Sequence, residues 1–515
     1  MNNSSIKLGA MMSYGAIAFN ILAGLLYTPW MIRQIGRSDY GLFILSSSLI
    51  GMFLLDFGIG NAIGRYVSKY RAENNPQKIN DFLGMVTKIY VAIDILLFAA
   101  LFTFFFFLQD IYVELAPEEI AKFKVIYIIT GLYLVISFPF IPRTWILMSF
   151  EKFFFAKFLT LLQKVLTVTC VVVVLLLGYK LYALVLVNAL VGILIIIVSL
   201  FYIKKTIPIQ INYWYWDWKI VREIFVFSLW ITVIIITLKM IVAITPSILG
   251  VFSGTNQIGI FGIAMTIEGY TNTLATALSG LFLPKLSRML LPQHENQHKD
   301  YKNNKEFESL MIRVGRIQYF TVGGIILFFV CLGKDFITLW LGHDFVQSYF
   351  VAVLLILPSL VSLTQDVGIT ALVVINKVKY RAFATIVIAC ISLVLSCLLT
   401  GKYGAIGSAT GIFIGYVVGN IFIMNYIYYK TLGLNVFKLI KECQFAFLLP
   451  SSLFIIICCT IQKNYVTPFW SGFILKSIIF SIIYFLLFWF LGLNIYEKRL
   501  ITAPIKNLFS IFIAK

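Results

Sequence analysis

The chain has 515 residues, of which 60% are hydrophobic and only 12% charged, and its formal net charge is +19. Soluble domains carry about twice that share of charged residues, so a soluble globular protein is excluded. The basic excess is scattered over short loops and not gathered on a soluble domain, which excludes a nucleic-acid-binding role.

Apolar runs long enough to cross a hydrocarbon core of ~30 Å recur from end to end. The alternating ~10-residue segments of a β-barrel are absent. No small-residue cleavage site follows the polar start MNNSSIK, so the first run reads as a membrane helix and not a signal. Fourteen spans are predicted, at 8–32, 40–63, 83–108, 124–149, 155–178, 181–203, 225–251, 257–283, 315–340, 346–374, 382–401, 404–429, 443–462 and 468–493. With both termini on the cytoplasmic side, 29 of the 41 Lys and Arg residues fall in tails and inward loops. Only eight then face outward, and four (Lys88, Lys164, Lys239 and Lys476) lie inside spans. That asymmetry follows the positive-inside rule and fixes the orientation and the even count.

The two halves resemble each other. TPWMIRQIGRSDYGLF (28–43) parallels TPSILGVFSGTNQIGIF (245–261), with Pro29 matching Pro246 and Gly41 matching Gly259. Lys69 and Arg71 match Lys285 and Arg288, and further parallels keep offsets near 217–225 residues. Six spans separate the copies, so the repeats run in the same orientation, a recurrent transporter plan. The predicted architecture is therefore all-α and polytopic. Its two six-helix lobes are related by a pseudo-two-fold along the membrane normal, followed by two extra C-terminal helices. The predicted organisation is 1–203 for the N-lobe, 204–224 for a cytoplasmic linker, 225–429 for the C-lobe, and 430–515 for the additional helix pair and tail. In span 12, Gly407, Gly411, Gly415 and Gly419 recur every fourth residue, a stripe that suits close helix packing.

Ionisable groups inside spans are costly and usually face a cavity or a partner. Lys239 is the single formal charge between Glu223 and Glu268, and Ser228 and Thr232 share its helix face. Glu268 continues through Asn272 on one face of span 8, and Asp366 belongs to a similar stripe in span 10. Asn20 does so in span 1, while Asp56 and Asp94 are deep acids in spans 2 and 3. Several spans thus present one wet side, as the lining of a central chamber does. Lys239 is read either as a cavity cation or as the structural partner of Glu268, and both readings stay open. Arg65 and Arg143, near inner helix ends, join Lys239 and Lys164 as candidate cationic contacts for an anionic headgroup, although Lys164 lacks a polar pattern of its own. The acids Glu268, Asp366, Asp56 and Asp94 are candidates for ion coupling. The seven cysteines have no CxxC spacing, and His294 and His298 sit in a polar loop, so neither set reads as a metal site. No GxxxxGK[ST] loop occurs, so ATP is not the direct energy source. No cofactor is expected, and an H⁺ or Na⁺ gradient is the expected drive.

The stretch LYTPWMIRQIGRSDYGLFILSSSLIGMFLLDFGIGNAIGRYVSKY (26–70) resembles the start of bacterial polysaccharide exporters of the O-antigen flippase (Wzx) type. These belong to the multidrug/oligosaccharidyl-lipid/polysaccharide (MOP) exporter superfamily, which also holds the multidrug and toxin extruders (MATE) and the peptidoglycan lipid flippase. The resemblance implies a MATE-like fold in the bacterial inner membrane. It also implies translocation of undecaprenyl-pyrophosphate-linked oligosaccharide for lipopolysaccharide O-antigen or another surface polysaccharide. Membrane lipid and polysaccharide polymerase or assembly proteins would be its partners. A cation-coupled multidrug exporter is the alternative, although a central lysine disfavours cationic drugs. A membrane polymerase or glycosyltransferase is a third reading. The longest outward loop, 109–123, is too small for a catalytic domain.

Overall fold

A computed structural model describes residues 3–54, 56–279, 289, 305–464, 469–500 and 502. Among the described residues every regular element is helical, and eleven helices are long and apolar enough to cross a membrane. The protein is an all-α, multi-pass membrane protein. The described parts of the predicted spans are mostly helical, and the count of fourteen compares with these eleven long apolar helices. The histidine pair, the Lys285 and Arg288 match, most of the basic 285–314 loop and the C-terminal tail lie outside the described residues.

In chain order, α1 (Asn3–Ile35) ends at Gly36, whose φ of 87° lets the chain turn directly into α2 (Arg37–Phe53). After a break comes α3 (Ile59–Ala72). α4 (Pro76–Ile111) starts where Asn75 accepts a bond from the Lys78 amide at 3.0 Å and proline takes the first turn. α5 (Pro117–Ser137) and α6 (Pro142–Ser149) are joined by one 3₁₀ turn, Phe138–Phe140. α7 (Phe153–Leu176), α8 (Leu181–Thr206), α9 (Trp218–Val242), α10 (Thr245–Phe252) and α11 (Thr255–Ser279) follow.

α12 (Lys305–Gln318) and α13 (Gly324–Leu341) meet at a π-helical turn, and α14 (Gln347–Ile356), α15 (Ser359–Ser362) and α16 (Asp366–Val374) make up one interrupted span. α17 (Val378–Tyr416) doubles back at Gly404, where φ is 56° and ψ −136°. A Cβ on Gly407 would lie 2.4 Å from the Leu399 carbonyl oxygen, so the glycine stripe packs against the preceding arm. The chain closes with α18 (Met424–Leu432), α19 (Val436–Ile440), α20 (Ala446–Asn464) and α21 (Trp470–Leu487).

Four predicted spans differ from the expected unbroken helices: the seventh breaks between α9 and α10, and the tenth is divided into α14, α15 and α16. The second is interrupted between α2 and α3, where Phe57 and Gly58 both take positive φ. The fourth is interrupted around Pro139 and Pro142, because proline supplies no amide to the ladder.

The helices form two compact units: Met1–Ile263 with Thr385–Ile412, and Ala264–Ala384 with Phe413–Lys515. In the first, equivalent positions of the repeat touch each other. The Ser38 and Thr255 hydroxyls, 217 residues apart, lie 3.2 Å from one another, and both reach the Glu119 carboxylate. A Cβ on Gly41 would sit 2.1 Å from the Thr255 carbonyl oxygen, so only glycine allows this crossing. In the second unit, Arg316 on α12 forks onto Glu497 and also donates to the Glu442 and Gly492 carbonyls, both at 2.7 Å. Lys476 on α21 meets Asp335 on α13 at 3.1 Å. These two ion pairs tie the C-terminal helix pair to the span built from α12 and α13.

Candidate functional site

A cavity of about 420 Å³ opens in the first unit among α1, α7 and α8. Lys157, Thr160, Lys164 and Thr167 recur at steps of three and four along α7, so they share one face of the helix. Gln163 sits beside them, Asn20 comes from α1 and Asn188 from α8. The rest of the lining is Ala16, Ile17 and Leu161, so among the described residues no carboxylate reaches the cavity. Thr160 and Asn188 spend one donor each on the carbonyl a turn earlier, at 3.2 and 2.7 Å. Two ammonium groups flanked by amides and hydroxyls form a receptor for an anion bearing several oxygen acceptors. Coulomb attraction between them is less attenuated than in bulk water. The cavity brings together Lys164 and Asn20, both expected from the sequence. Lys157, Thr160, Gln163, Thr167 and Asn188 were missed, and the three-four spacing of Lys157, Thr160, Lys164 and Thr167 in an apolar run was the signal that could have found them.

Lys239 has a different environment. Its ammonium donates to the carbonyl oxygens of Gly51 and Leu54, at the end of α2. The last carbonyls of any helix lack intrahelical donors, and a cation there also complements the helix dipole. On the other side of the break, Asp56 accepts a bond from the Gly58 amide at 3.0 Å and lies within electrostatic reach of Lys239. Ser228, almost fully buried, donates to the Gly58 carbonyl at 3.1 Å. Two members of the predicted polar stripe on α9 therefore hold the interruption of the second span.

The remaining predicted residues do not line this cavity. Arg143 is half-buried at the start of α6 and donates to the Phe140 carbonyl at 3.0 Å. Arg65 is exposed on α3, next to Tyr66, whose hydroxyl donates to Glu223 at 2.8 Å. Partial burial first, and that bond second, push the Tyr66 phenol up to about 12. Asp94 on α4 is half-buried, and its Oδ1 is enclosed without a hydrogen bond. In the second unit, Glu268 accepts a hydrogen bond from Asn272 one turn along α11, and Tyr416 lies within its electrostatic reach. Asp366 opens α16 within reach of Arg381 and Tyr428, neither of which was singled out from the sequence.

The fold defines a class of protein, a polytopic all-α membrane protein. The polysaccharide biosynthesis protein family matches residues 9–292, more than half of the chain, and the protein belongs to that family. The fold is similar to that of the lipid II flippase MurJ in an inward closed conformation. The TM-score is 0.67 at 15% identity, with 93% of this chain and 98% of that chain covered. It is also similar to an inward-facing multidrug resistance MATE family transporter of the MOP superfamily, with a TM-score of 0.65 at 12% identity over 84% of this chain and 99% of the other. A third likeness is the MATE multidrug transporter DinF-BH, at a TM-score of 0.61 and 15% identity, covering 84% of this chain and 96% of that one. No curated protein matches the chain by sequence.

Proposed function

We propose that this protein is a flippase carrying an undecaprenyl-pyrophosphate-linked oligosaccharide, an O-antigen or other surface polysaccharide repeat unit, across the bacterial inner membrane. The observation that carries the reading is the cavity of the first unit, polar and lined by Lys157 and Lys164 with no carboxylate among its described residues. An acidic lipid headgroup such as a pyrophosphate needs cationic and hydrogen-bonding donors once it leaves water, because an unpaired charge in hydrocarbon is costly. Membership of a polysaccharide biosynthesis family and a fold like that of a lipid II flippase support the same substrate class. Movement by alternating access of two lobes, coupling to H⁺ or Na⁺ through Glu268, Asp366, Asp56 or Asp94, and cytoplasmic termini complete the proposal. Polysaccharide polymerase or assembly proteins are its proposed partners, and no cofactor is invoked.

Multidrug export is the second reading, favoured by the likeness to MATE transporters. Organic cations are poorly matched to a cavity whose charged side chains are both lysines. A clean deletion strain separates the two. The flippase reading expects complete lipid-linked oligosaccharide units stranded on the cytoplasmic face. Normal surface polysaccharide with altered drug sensitivity would overturn it in favour of drug export.

A further inference from the structure

The segment between α8 and α9, IPIQINYWYWDW (207–218), lies within the predicted cytoplasmic linker, 204–224. The structure holds it firmly against the start of α4. The Asn80 side chain accepts from the Gln210 amide at 3.0 Å, and its backbone carbonyl accepts from the Asn212 amide at 3.2 Å. The Asn212 side chain donates to Asp81 at 2.7 Å. Lys88 reaches out of α4 to donate to the Tyr215 carbonyl at 2.8 Å and lies 5.1 Å over the Trp216 ring. A Cβ on Gly84 would stand 1.9 Å from the Asn212 carbonyl oxygen, so the two backbones touch.

With its backbone fixed in this way, the segment turns its largest side chains outward. Trp214 is 95% exposed and Trp218 73%, and Tyr213 is also exposed. Trp216 and Trp218 meet edge to face at 5.2 Å. An aromatic group this large and this bare is unfavourable in water unless something covers it. The end of α8 and the start of α9 flank it with four exposed bases, Lys204, Lys205, Lys219 and Arg222. The nearby acids are engaged: Asp217 caps α9 by accepting from the Lys219 amide at 2.7 Å, and Glu223 accepts from Tyr66.

We infer that this pinned aromatic ridge is a docking surface for the phospholipid headgroup layer, into which Trp214 and Trp218 insert while the four bases meet lipid phosphates. Two observations select lipid as the occupant. A candidate membrane span ends at Thr206 just before the segment, and the next begins at Ser228 within ten residues of its end, which places it close to an interface. Indole rings beside lysine and arginine also match the mixed apolar and anionic character of that layer. Lys88, an ammonium inside a predicted span, is then explained as the post that holds the ridge.

The test uses the full chain in nanodiscs containing anionic phospholipid. The emission lost in Trp214→Phe and in Trp218→Phe gives the signal of each indole, and neither substitution touches a buried contact. Lipids brominated near the headgroup should extinguish most of both signals, and aqueous iodide should leave them intact. Neutral lipid, or replacement of the four bases by glutamine, should weaken the bromolipid effect. Emission quenched by iodide and untouched by bromolipid would overturn the inference and leave a water-exposed surface open to a soluble protein.

Discussion

The two units treat their intramembrane cations in opposite ways. In the second, Arg316 and Lys476 are each met by a carboxylate, Glu497 and Asp335, and the Arg316 pair is buried on both sides. In the first, Lys239 is met by two backbone carbonyls with Asp56 within electrostatic reach, whereas Lys157 and Lys164 line a cavity that no acid among the described residues reaches. A neutralised pair locks helices together and has little charge left for a ligand. A cation surrounded by neutral dipoles keeps its field and can hold an anion. The difference separates cations neutralised by a carboxylate from the cavity lysines, which no described carboxylate reaches.

Variants rank along that comparison. Arg316→Met should have the largest effect on stability, about 3–5 kcal/mol, because it leaves Glu497 buried without a counter-charge. The readout is a large fall in the melting temperature of purified protein and in its membrane level. Adding Glu497→Gln should return part of the loss. Lys239→Met should cost about 1–3 kcal/mol, the penalty for leaving the Gly51 and Leu54 carbonyls without donors. Lys239→Arg should keep most of that stability, and a melting curve separates the two. Lys476→Met should cost less than Arg316→Met, since Asp335 retains some access to solvent and is not stranded in full. Lys164→Gln should be the mildest, within about 0.5 kcal/mol of the parent in thermal unfolding, as no partner is left behind. A severe loss of folded protein in Lys164→Gln would erase the distinction between the units.

Most of the helical architecture was legible in the sequence because a bilayer demands long apolar helices. The repeat also left a physical trace, since Ser38 and Thr255 stand one offset apart and touch. The interruption between α2 and α3 was less visible. Its positive-φ Phe57 and Gly58 lie in LLDFGIG, which reads as one apolar run when only hydrophobicity is followed. The site was legible in part. Lys164 and Asn20 stood out as polar groups in apolar runs, and the cavity contains both. Lys239 stood out equally, but carbonyl oxygens carry no sequence signature, so its bonds to Gly51 and Leu54 could not be foreseen. Arg316 and Glu497 are 181 residues apart, and no local pattern couples such positions.

The central claim is that the unpaired lysines of the first unit hold the anionic part of the cargo. Its most direct test is flipping of a pyrophosphate-linked oligosaccharide lipid in proteoliposomes, comparing the parent with Lys157→Gln/Lys164→Gln at equal protein per vesicle. The account predicts a fall in flipping rate of tenfold or more, about 1.4 kcal/mol, with an unchanged melting temperature. Equal rates for parent and double variant would contradict it.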